Sequence, residues 1–130
     1  MRRYISLLLF IGLTFWGCGE NCYDYEEIVP YEVEYLVKGS NASITYQNTD
    51  GGTSQHSNVN LPWSYKFNSI GDTWVYCSAQ NQNSWGTVRV EVKVNGNIKF
   101  ESSSSGAYVI ASAHGTISGD SYTNTVTECD

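Results

Sequence analysis

Thr87-Val88-Arg89-Val90-Glu91-Val92-Lys93-Val94-Asn95-Gly96-Asn97-Ile98-Lys99-Phe100-Glu101 carries the clearest structural signal in the chain. Val88, Val90, Val92 and Val94 alternate strictly with Thr87, Arg89, Glu91 and Lys93, the period of two that a half-buried β-strand requires. Valine is stiff at χ1 and packs well on a pleated surface, which favours strand over helix. Asn95-Gly96 tolerates the positive φ angles of a two-residue turn, and Ile98 and Phe100 then resume the alternation against Lys99 and Glu101. The stretch reads as a β-hairpin with an apolar face and a charged face.

The same pattern extends outward in both directions. Upstream, Val33, Tyr35 and Val37 share one face of a strand from Tyr31 to Val37, and Ala42, Ile44 and Tyr46 point inward from a second strand ending at Gln47. Asn48-Thr49-Asp50-Gly51-Gly52 supplies hairpin residues, and the return strand from Thr53 to Val59 is polar enough to be an edge. Pro62 cannot donate to a ladder, so it marks a kink, a strand start or a crossing between sheets. Tyr65 to Phe67 is extended, Ser69-Ile70-Gly71-Asp72 is a turn, and Trp74 to Gln80 is the most apolar run, expected to be central. Gln80 to Ser84 is a polar loop, and Ala107 to Ile117 forms a last strand with Ala111 and Ala113 inward. No window offers a helical repeat with caps. About seven or eight short strands of this kind predict an all-β, immunoglobulin-like antiparallel β-sandwich, although a closed barrel satisfies the same pattern.

Of the 130 residues, residues 1–17 read as a signal peptide: Arg2 and Arg3, then an apolar run from Tyr4 to Trp16, then Gly17 before Cys18. Without Arg2 and Arg3, five basic groups remain against thirteen acidic ones, a net of −8, which disfavours nucleic acid as a partner. The expected division is a signal peptide at 1–17, an acidic tether at 18–30, the sandwich at 31–118 and a polar tail at 119–130.

Phe15-Trp16-Gly17-Cys18 resembles the lipobox of bacterial lipoproteins. The resemblance implies a lipid on Cys18 and cleavage before it, hence anchoring in the cell envelope, with the outer membrane expected and the facing side open. Two or more acyl chains hold a protein stably without a transmembrane helix. Glu20, Asp24, Glu26 and Glu27 resemble the acidic export signal of surface lipoproteins in Bacteroidota, or form a solvated tether.

With Cys18 assigned to lipid, three cysteines remain in an exported chain. Cys77 sits in an apolar strand and reads as a buried thiol. Cys22 and Cys129 are the candidate disulfide, which requires one tail to cross the domain; three free thiols are the alternative.

Little in the sequence points to catalysis. His56 and His114 stand alone, no spacing suits a metal, and no nucleophile elbow or phosphate-cradling loop occurs, so neither a catalytic residue nor a cofactor is expected. Glu32 and Glu34 share a strand face and read as solvated. The binding candidates are aromatic: Trp85 at a loop end beside Gly86, with Trp63 and Tyr65, while cross-strand packing is the competing role for most of the rings.

Val33 to Ile117 also resembles the extracytoplasmic domain of MmpS-type proteins, accessory partners of MmpL transporters in mycobacteria, and related small lipoproteins of Bacteroidota. The matching pieces, in order, include Ala42-Ser43-Ile44-Thr45-Tyr46-Gln47-Asn48, Gly51-Gly52-Thr53-Ser54-Gln55, Val59-Asn60-Leu61-Pro62-Trp63 and Ser78-Ala79-Gln80-Asn81. Gly86-Thr87-Val88, Val94-Asn95-Gly96, Glu101-Ser102-Ser103-Ser104 and Ser112-Ala113-His114-Gly115-Thr116 complete them. The resemblance implies an immunoglobulin-like sandwich, no active site, and an envelope partner, an exporter of the resistance-nodulation-division type for lipids or siderophores. A surface module binding glycan or protein is the alternative function.

Overall fold

The computed structural model describes residues 21–129. It contains ten strands, where the sequence pattern suggests seven or eight: β1 (Cys22–Ile28), β2 (Tyr31–Lys38), β3 (Asn41–Gln47), β4 (Thr53–Asn60), β5 (Trp63–Ser69), β6 (Thr73–Asn81), β7 (Thr87–Val94), β8 (Asn97–Ser105), β9 (Ile110–Ile117) and β10 (Thr123–Cys129). One sheet has the order β5-β2-β7-β8 and the other β4-β3-β6-β9, and the two separate sheets make this a sandwich rather than a closed barrel. All pairings are antiparallel.

Alternation decides the core. Val33, Tyr35 and Val37 of β2 and Val88, Val90, Val92 and Val94 of β7 face Ala42, Ile44 and Tyr46 of β3, Val75, Cys77 and Ala79 of β6, and Ala111, Ala113 and Ile117 of β9. Burial pushes the Cys77 thiol up to about 12, so it packs as an inert small hydrophobe.

The hairpin β7–β8 turns at Asn95 and Gly96, whose φ angles of 52° and 85° suit a type I′ turn. Its register departs from simple alternation. A shift between Val92 and Lys93 sets Phe100 opposite Val92 but Ile98 opposite Lys93, with Lys99 as the extra residue. This bulge turns Ile98 outward, where it is 46% exposed, contrary to the inward position its spacing suggests. Phe100 does face inward and lies on Gly115 of β9, so close that any side chain there would meet its ring. Together with the bond from Ser104 Oγ to the Ile110 carbonyl (2.8 Å), this contact closes the β8/β9 side of the sandwich.

On the other side, β4 and β5 are the free edges. The chain passes between the sheets there, at Leu61-Pro62, which is a cis peptide. Trp63, Tyr65 and Phe67 project from β5 into the gap.

The segments expected to be a tether and a tail are ordered together instead. β1 and β10 pair with each other in a two-stranded ribbon, from Ile28 opposite Thr123 to Cys22 opposite Cys129, where a disulfide joins them. Neither tail crosses the domain, contrary to expectation. β2 and β9 belong to different sheets, and the start of β2 and the end of β9 lie at the same end: Tyr31 Oη reaches Thr73, which pairs with Ile117. Both tails therefore leave side by side. A single 3₁₀ turn (Gly119–Ser121) and the Tyr31–Tyr122 ring contact at 4.6 Å seat the ribbon on the sandwich.

The two sheets also differ in charge. Every described Lys and Arg (Lys38, Lys66, Arg89, Lys93, Lys99) lies on β5-β2-β7-β8, interleaved with Glu32, Glu34, Glu91 and Glu101. The strands of β4-β3-β6-β9 contain no Asp, Glu, Lys or Arg at all.

Candidate functional site

The ribbon leaves one end of the sandwich, and the connections β6–β7 and β8–β9 form part of the opposite end. That far end is organised by Asn81, which is 3% exposed at the close of β6. Its Nδ2 donates to the carbonyls of Trp85 and Gly106, both at 2.9 Å, and its Oδ1 accepts the Asn83 amide at 3.1 Å. One side chain thus ties two loops together. Trp85, held through its backbone, is 67% exposed, and Tyr108 in the facing loop is 56% exposed. Tyr108 adopts a φ of 56°, a conformation that a side chain normally avoids and that recurs at binding loops. Bonds from the Tyr108 amide to the Asn83 carbonyl (3.2 Å) and from Gln80 Nε2 to the Tyr108 carbonyl (3.0 Å) hold it there.

Replacing Asn81 with Ala removes the partner of two carbonyls and an amide in part-buried bonds. We expect a loss of about 2 to 3 kcal/mol and faster hydrogen exchange confined to residues 82–86 and 106–109. Unchanged exchange in those loops would contradict the clamp.

Trp63 and Tyr65 do not join Trp85 in a platform. Their rings are parallel (6°) at 6.5 Å in the half-buried row beside Tyr46 and His56. Tyr46 Oη lies 3.3 Å from His56 Nε2, so His56, although exposed, is part of this packing. Among the described residues Trp85 makes no ring contact.

Sequence reading passed over Asn81. A polar residue at the end of an apolar strand looks like the start of a loop, and only its burial reveals the clamp. Trp74 heads the apolar run expected to be central, and by sequence its ring is one of several open to either binding or packing. In the structure Trp74 is 48% exposed beside His114 and lines a shallow cleft of about 250 Å³ with Gln47, Asn48, Phe67, Asn68 and Asp72.

Among the described residues Glu91 is the one buried charge, 3% exposed although it points away from the core. Its Oε2 accepts from Arg89 Nε at 2.7 Å and Lys38 Nζ at 3.3 Å, Arg89 also pairs with Glu101, and Oε1 has no protein donor. The Arg89 guanidinium, opposed by burial and assisted by Lys38, holds the Glu91 carboxyl below the usual carboxylate range. As the pH falls, the unfolded chain therefore binds the proton first. The stabilisation is present above the ordinary carboxylate pKa and is lost as pH drops through the lower folded value. Both partners are substantially exposed, so salt weakens the pairs. Melting temperatures measured across the acid range should fall less steeply in Glu91→Gln than in the parent; identical slopes would refute the assignment.

No group of three or more His, Cys, Asp or Glu suited to a metal occurs among the described residues, and no described helix is long and apolar enough to cross a membrane. Cys18 and the signal segment at 1–17 lie outside the described residues.

The family model described as Mycobacterium membrane protein matches residues 18–115. The match begins at Cys18, takes in β1 with Cys22, and runs into β9, leaving β10 and Cys129 outside. It therefore reaches further toward the N-terminus than the resemblance that starts at Val33. No curated protein matches the chain. The fold agrees with the sandwich that the resemblance implied, and the family is not a known enzyme family. The chain belongs to the Mycobacterium membrane protein family, the MmpS family.

Proposed function

We propose that this protein is a non-enzymatic accessory lipoprotein, held in the cell envelope by lipid on Cys18, that assists an exporter of the MmpL type. Membership of the family carries this reading. The ribbon geometry supports it. Cys22, at the ribbon tip, follows Cys18 closely in sequence, so a lipid there holds the tip against the membrane and leaves the sandwich outside it. A strand of this length spans roughly 20 Å at 3.3 Å per residue. The Asn81-clamped loops with Trp85 then lie at the end away from the anchor, where an envelope partner can reach them. Truncating an exposed aromatic anchor of that kind costs an interface about 1 to 2 kcal/mol or more.

The anchor and the partner are tested separately. Cys18→Ala should move the protein from the membrane fraction to the soluble fraction, and the mass of the mature N-terminal peptide should show acylation in the parent only. Crosslinking and purification from membranes should recover a resistance-nodulation-division transporter, with recovery reduced in Trp85→Ala. An unacylated Cys18 removes the anchor, and the absence of any transporter removes the partnership. Density fractionation of the same membranes assigns the protein to the inner or the outer membrane.

A further inference from the structure

We propose that the outward face of the β4-β3-β6-β9 sheet binds an uncharged glycan chain. This is a second surface, separate from the clamped loops, and the inference does not depend on the exporter reading.

The strands of this sheet carry no formal charge, whereas the opposite sheet holds every described Lys and Arg. Because Ala42, Ile44 and Tyr46 of β3 and Val75, Cys77 and Ala79 of β6 are buried, the alternate residues face outward. They fall into two zones. Near the ribbon end, Trp74 and Tyr76 flank His114, with ring centroids at 5.6 and 6.3 Å, and Trp74 is 48% exposed. Beside them the register aligns Thr45, Ser78 and Ser112 in a row across three strands, and Ser112 Oγ bonds Ser78 Oγ at 3.0 Å. The cleft of about 250 Å³ opens beside Trp74 and has room for one sugar ring.

The chemistry of the face selects the ligand. On the strands of this sheet a charged ligand meets no counter-charge; at the cleft, Asp72 repels an anion, and its Oδ1 already accepts the Gly119 amide at 2.8 Å. A dry apolar partner would strip water from hydroxyls and amides without replacing their bonds, which is unfavourable for each group buried in this way. A neutral, hydroxyl-rich chain supplies donors and acceptors to the row while its C–H faces stack on the rings. The extended face suits a chain, and the cleft suits a terminal or branching unit.

The full chain in detergent micelles is titrated with uncharged hexasaccharides (maltohexaose, cellohexaose, laminarihexaose, mannohexaose and xylohexaose), followed by tryptophan fluorescence and amide chemical shifts. Binding of at least one is expected, with shifts on β6 and β9. Trp74→Ala should weaken it about tenfold or more. Thr45→Lys and Ser78→Glu, which place a charge on the face, should weaken it likewise, while Lys66→Ala on the other sheet leaves it unchanged. Melting curves identify any variant that fails to fold, and the remaining substitutions then decide. No binding at millimolar concentration overturns the proposal, as does binding indifferent to all three substitutions. Concentration-dependent self-association abolished by Ser78→Glu would also overturn it, by assigning the face to a second copy of the chain.

Discussion

Replacing Cys22 and Cys129 together with Ser should lower the unfolding free energy by up to about 4 to 5 kcal/mol, the largest effect expected of any change outside the core. The bridge spans a sequence separation of 107 residues, so almost the whole described chain is closed into one loop. Closing a loop of that length removes conformational freedom chiefly from the unfolded chain. The ribbon makes the loss partly local as well. The two strands form a sheet of their own, none of their residues is buried, and a lone two-stranded ribbon is marginal in water. Fraying in the reduced form offsets some of the global loss. A fall in melting temperature of about 10 °C or more is therefore expected. It should be accompanied by loss of amide protection in 22–28 and 123–129 while β6 and β7 stay protected at moderate temperature. An unchanged melting temperature with an intact, protected ribbon would show that strand pairing alone holds the termini.

Tyr35→Ala should cost about 3 to 5 kcal/mol. Tyr35 is fully buried at the middle of β2, with ring centroids of Phe67, Tyr46 and Tyr65 at 5.6, 5.9 and 6.0 Å. It links the packed centre of the sandwich to the aromatic row that fills the open β4/β5 side. Burial raises its phenol pKa, so the hydroxyl stays neutral and donates to the Gln47 carbonyl at 3.0 Å. Alanine removes the ring and leaves a cavity between two sheets that cannot collapse freely. Tyr35→Phe removes only the hydrogen bond and should cost about 1 kcal/mol. Chemical denaturation of both variants separates the two contributions. Equal losses would mean that the hydroxyl, not the ring, is what the site requires.

The strands that build the core were legible because each carries its own evidence. The valines of β7 announce a buried face without reference to any partner, and Asn95-Gly96 announces the hairpin. Ile98 was misplaced because a bulge is a property of two strands in register, which the alternation of one strand does not contain. β1 and β10 were missed for a related reason. Tyr23 and Tyr25 alternate with Asp24 and Glu26, and Thr123, Thr125 and Thr127 favour strand, so a weak signal exists. Neither segment has a buried face, however, and each is a strand only because the other lies beside it. Among the binding candidates, Trp85 is exposed as its loop setting suggested, while Trp63 and Tyr65 are drawn into packing by edges that only the assembled sandwich defines.

By itself the sequence determined which side of each core strand is apolar, because alternation is a local, two-residue property of the extended chain. Sheet membership is a different matter. Between β2 and β9 only β3–β4 and β7–β8 are hairpins within a sheet, and the other connections pass from one sheet to the other. Strands rich in charge and strands without any are therefore interleaved along the chain and sorted only in space. Tertiary structure decided that β4, β3, β6 and β9 lie together as an uncharged face, that Asn81 ties two loops at the end opposite the ribbon, and that Cys22–Ile28 and Thr123–Cys129 leave as one ribbon. Each of these depends on pairing between residues far apart in sequence, which no local pattern encodes.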